Sequence, residues 1–109
     1  MRDPELVQVF RLAKRRIQRR QDTFICYALQ RVADCRPELA KAVHKAERLI
    51  SYRMRGYEAV DPVRQPLYCW LYDYYRSQGV SFHLPDADYD PLMREYRIRW
   101  LNHLIKEFS

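Results

Sequence analysis

The residues best suited to do chemistry in this chain are arginines. Arg11, Arg15 and Arg19 recur every fourth position, with Arg16 and Arg20 beside them. A guanidinium carries a permanent charge and a planar fork of donors that matches phosphate and carboxylate oxygens. Residues 1–21 hold seven basic and two acidic groups, a net of +5, out of +6 for all 109 residues. The remainder is therefore nearly neutral, and the positive field comes from one short segment. Such a patch attracts nucleic acid, an anionic membrane surface or an acidic protein, and it also serves as a plain solvated face. As a membrane helix the segment is poorly equipped, with no tryptophan and one phenylalanine on its apolar side.

The second group is aromatic. Tyr68, Tyr72 and Tyr75 stand at i, i+4 and i+7, beside a separate stripe of Leu67, Trp70, Leu71 and Tyr74. A second aromatic stripe is more than one core face needs. Tyrosine is enriched at interfaces because it buries a large area at little entropic cost. The alternative is packing against the last predicted helix, whose Tyr96 and Trp100 need neighbours. Arg97 projects into the apolar arc of that same helix, where a buried guanidinium requires a carboxylate such as Asp73 or Asp90.

Catalytic and metal chemistry find little support. His44, His83 and His103 are far apart and lack metal-ligand spacing. The loop Asp86-Ala87-Asp88-Tyr89-Asp90 invites calcium, but Pro91 and Arg97 stand where a calcium loop needs glycine and glutamate. No nucleophile elbow, phosphate loop or paired-carboxylate motif occurs. Cys26, Cys35 and Cys69 are odd in number, and their apolar or aromatic neighbours read as packing for reduced, inert thiols. The expectation is a protein that is not an enzyme and takes no cofactor and no metal.

These side chains need elements to hold them. Only two glycines occur, which argues against hairpin-rich β structure, while 48% hydrophobic residues supply a core. Asp3-Pro4, Asp61-Pro62 and Asp90-Pro91 are three helix-start signals, with aspartate to cap and proline at the first helical position. After Asp3, Leu6, Val9, Phe10, Ala13 and Ile17 define a helix ending near Arg20. Gln21-Asp22-Thr23 offers a break and a new cap. A second helix carries Phe24, Ile25, Ala28, Leu29, Val32 and Ala33, and Pro37 opens a third that ends before Gly56. Pro66 to about Gln78 reads as a fourth, and Pro91 to Phe108 as a fifth. The fold class expected is all-α: one domain over residues 1–109, a compact bundle of about five helices. The wide apolar arc of the fifth helix places it at the centre, with the basic first helix (1–21) packed on one side of a core built from 22–109.

Phe24-Ile25-Cys26-Tyr27-Ala28-Leu29, Arg48-Leu49-Ile50, Cys69-Trp70-Leu71 and Arg97-Ile98-Arg99-Trp100-Leu101, with Leu104-Ile105 and Glu107-Phe108, form scattered islands over residues 24–108. In these the chain resembles small uncharacterised phage-encoded helical proteins. The resemblance implies a phage accessory protein in the cytoplasm of a bacterial host. Its implied partner is a host protein or ribonucleoprotein, in an anti-CRISPR-like or other anti-defence role. The positive charge argues against nucleic-acid mimicry, so such an inhibitor would bind protein surfaces or a guide nucleic acid directly. On this reading Arg11, Arg15, Arg16, Arg19 and Arg20 attract the partner and Tyr68, Tyr72 and Tyr75 supply contact area. Two alternatives use the same residues: a DNA- or RNA-binding accessory protein, and a self-associating structural protein, a homodimer through the tyrosine flank. No apolar leader segment and no run of about 18 apolar residues is present, so the expectation includes no membrane partner.

Overall fold

A computed structural model describes residues 2–54 and 91–109. Among the described residues the chain forms four α-helices and one short 3₁₀ turn, with no strand: α1 (Pro4–Gln18), α2 (Ile25–Cys35), the 3₁₀ turn (Pro37–Leu39), α3 (Ala40–Met54) and α4 (Pro91–Phe108). The fourth predicted helix, from Pro66 to Gln78, lies outside the described residues, and so do the acidic loop and the Asp61-Pro62 signal.

The start of α1 follows its local chemistry. The Asp3 carboxylate accepts the Leu6 N–H at 3.1 Å, and Pro4 occupies the first turn, where a missing N–H costs nothing. Leu6, Val7, Val9, Phe10, Ala13 and Ile17 are all buried, each contributing about 1–3 kcal/mol of apolar transfer in the manner of a core side chain. Asp3 is also a junction. Its N–H donates to the Phe108 carbonyl at 2.9 Å, and its second carboxylate oxygen accepts from Lys45 Nζ at 2.5 Å. One residue thus ties the start of α1 to the end of α4 and to the middle of α3.

Among the described residues α1 packs against each of the other helices, with its largest contact against α4. Arg97, Trp100, Leu101, Leu104 and Phe108 form one buried seam, while Ile98 and Ile105 on its flanks are half-buried. Phe10 of α1 meets Phe108 of α4 with ring centroids 6.4 Å apart, and α2 adds Ile25, Ala28, Leu29 and Val32 to the same core.

Two boundaries depart from the sequence reading. Thr23 does not cap α2: Phe24 takes the N-cap position and offers no side-chain acceptor. The polar candidate nearby, Asp22, is spent on Arg16. Pro37 opens a tight 3₁₀ turn first, and α3 proper begins at Ala40.

Candidate functional site

Arg11, Arg15 and Arg19 lie exposed on the side of α1 opposite its buried stripe, as their four-residue spacing requires. The helix ends at Gln18, with Arg19 as its C-cap. Gln21 N–H donates to the Arg16 carbonyl at 2.9 Å and Arg20 N–H to the Ile17 carbonyl at 3.1 Å, the paired bonds of a Schellman turn. That turn places Arg20 in the left-handed region, with φ of 59°, a position glycine usually fills. Arg20 is consequently exposed and turned out of the helical register.

Arg16 has a different task. Its guanidinium is half-buried and ion-paired with Asp22, so it braces the turn that follows α1. The pairing also neutralises the nearest carboxylate. Residues 6–21 contain no acidic side chain, which leaves the charges of Arg11, Arg15, Arg19 and Arg20 unopposed along this stretch. Positive charge near a helix C-terminus is itself favourable, because it meets the negative end of the helix dipole.

A second basic face was not singled out from sequence. Lys41, His44, Lys45 and Arg48 are all exposed on α3 and, with Leu49, line an open depression of about 420 Å³. The signal was present as a Lys-x-x-His-Lys-x-x-Arg pattern, i, i+3, i+4 and i+7 on one helical face. The apolar stripe of the same helix is the stronger pattern and drew the reading to itself. Lys45 ties this face to Asp3, whose carboxyl is held below its ordinary range first by the Lys45 hydrogen bond and then by the Leu6 N–H.

Tyr68, Tyr72 and Tyr75 lie outside the described residues, as do Cys69, His83, Asp73 and Asp90. The described chain shows a different open aromatic, Tyr27, which is 57% exposed on the first turn of α2. Its ring meets Phe24 edge-on, with centroids 5.8 Å apart and planes at 79°. Arg97 is buried at 7% exposure, as its place in the apolar arc of α4 predicts. Its guanidinium stands over the Phe24 ring at 4.9 Å, a cation–π contact that joins α4 to the start of α2.

Cys26 corrects another expectation. Its apolar neighbours in sequence read as a buried setting, yet both Cys26 and Cys35 are exposed free thiols. Cys26 is one position past Ile25, and the 100° step per residue carries it off the buried stripe. Among the described residues, no cluster of three histidine, cysteine or acidic side chains is arranged to hold a metal ion. No described helix is long and apolar enough to cross a membrane. No family model, no curated protein and no solved structure matches this chain.

Proposed function

We propose that this chain works by binding a polyanion, nucleic acid alone or within a ribonucleoprotein, through the outer face of α1. The observation that carries the reading is the row of exposed arginines, Arg11, Arg15, Arg19 and Arg20, with no carboxylate between them. Successive members of the i, i+4 row rise about 6 Å along the helix. That is shorter than the Debye length of about 8 Å at physiological salt, so their fields add where a phosphate chain would lie. The Lys41, Lys45 and Arg48 face of α3 adds a second anchorage for a long polyanion. The phage resemblance supplies a setting in which the partner is a host ribonucleoprotein and binding inhibits bacterial immunity.

The test is affinity for generic DNA and RNA across a salt series, for the parent and an Arg11→Glu/Arg15→Glu/Arg19→Glu variant. Arg16 stays intact, because reversing it would set two carboxylates side by side at the α1 turn. Four phosphate contacts give a slope of log affinity against log salt of about −3.6 on duplex DNA, or roughly a hundredfold loss between about 50 and 200 mM salt. Binding that is absent at low salt, or that survives the triple reversal, refutes the reading.

A further inference from the structure

We infer that the α1–α2 end of the bundle selects single-stranded nucleic acid, with Tyr27 stacking an unpaired base and Arg19 and Arg20 holding its flanking phosphates. The inference rests on the polyanion reading and adds to it a strand class and a base-contacting residue.

Tyr27 is the large hydrophobic side chain that stands exposed among the described residues. It is also braced. The Phe24 ring meets it edge-on, and the buried Arg97 guanidinium fixes Phe24 from α4. A ring held by its neighbour while more than half of the residue faces solvent is a stacking platform with little orientational freedom left to lose.

The arginines lie within reach. Phe24 is four positions after Arg20, at most about 14 Å of extended chain, and Tyr27 sits one helical turn further on. The Schellman bonds and the Arg16–Asp22 pair hold this connection in place. A span of under about 20 Å suits a few nucleotides, within the site sizes of single-strand binding surfaces. A duplex would meet the same arginines through its phosphates but keeps its base faces stacked inside, so Tyr27 has nothing to grip there.

The experiment is fluorescence anisotropy with a labelled oligonucleotide of about 12 nucleotides, single-stranded and as a duplex. The parent, Tyr27→Ala and Tyr27→Phe are compared across a salt series. The expected result is tighter binding of the single strand by the parent. Tyr27→Ala then weakens single-strand binding by about 5- to 150-fold, the range for one stacked base, with duplex affinity and salt slope unchanged. Tyr27→Phe keeps the ring and the affinity. Circular dichroism confirms that the exposed substitution leaves the helices intact. Salt-sensitive binding of both forms with no response to Tyr27→Ala overturns the stacking inference and leaves the polyanion reading standing. Binding of neither form overturns both. An equal loss on single strand and duplex also overturns the inference, because it would make Tyr27 a general surface contact.

Discussion

Replacing Arg20 by glycine should separate the stability of this chain from its binding, because the residue serves the two in opposite senses. Its φ of 59° lies in the left-handed region, where a side chain with a Cβ costs about 1–2 kcal/mol. Glycine removes that cost and gives back about 0.5–1 kcal/mol in lost backbone freedom. A second effect accompanies any removal of the guanidinium, namely the loss of about 0.3–1 kcal/mol of favourable charge–dipole interaction at the end of α1. Arg20→Ala suffers this second loss and keeps the Cβ, so it is the proper reference. Arg20→Gly should exceed Arg20→Ala by about 0.5–1 kcal/mol, which is roughly 3–6 °C in melting temperature for a domain of this size. On the polyanion reading both variants lose one phosphate contact, and the salt slope on a single strand should become shallower by about 0.7 in each. Thermal melts by circular dichroism and the anisotropy salt series measure the two quantities on the same samples. A glycine variant no more stable than the alanine variant would refute the reasoning, since it would mean that the turn exacts no strain from the arginine.

Two further substitutions probe the core and the helix junction. Phe10→Ala empties the contact between α1 and the Phe108 ring and should cost about 3–5 kcal/mol, read as a lower denaturant midpoint. Asp3→Asn keeps an N-cap acceptor but removes the charge that Lys45 meets. Because the folded Asp3 carboxyl titrates below its unfolded value, near pH 3.9, its contribution is present above that pH and fades as pH falls through the folded value. The asparagine variant should therefore melt slightly below the parent at pH 6, and the gap should narrow as pH falls below about 3.9; an acid limb of unchanged slope would show that the Lys45 pair contributes nothing.

Helix-level structure was legible where a single local signal governed it. Asp3-Pro4 set the start of α1, the period of Leu6, Phe10, Ala13 and Ile17 set its buried face, and Pro91 set the start of α4. What resisted reading depended on competition between elements. Asp22 was as good a local cap for α2 as Thr23, yet its carboxylate went to Arg16, and Phe24 took the cap position with no acceptor to offer. The α1–α4 seam could not be seen in either helix alone, because the arc of α4 records what it is able to bury and not what it meets. The exposed thiol of Cys26 and the basic face of α3 were masked in the same way, each by the stronger apolar pattern of its own helix.

The position of α1 bears on how the arginine row can work. A helix that packs against each of the other described α-helices has little freedom to tilt, so the charges on its outer face are held at fixed spacing by the core beneath them. Arg16 extends that logic to the end of the helix: one of the five clustered arginines is used to close the turn, and the closed turn holds Arg19 and Arg20 beside the start of α2. There the Arg97 contact fixes Phe24, and Phe24 braces Tyr27. A preorganised surface of this kind loses little conformational entropy when it binds, and that saving goes directly into affinity. It follows that Arg16→Ala should weaken binding by more than the one charge it removes, because the loosened turn would release Arg19 and Arg20 as well. An effect no larger than that of removing a single exposed arginine such as Arg11 would show that the row acts as independent charges and that the turn plays no part in aiming them.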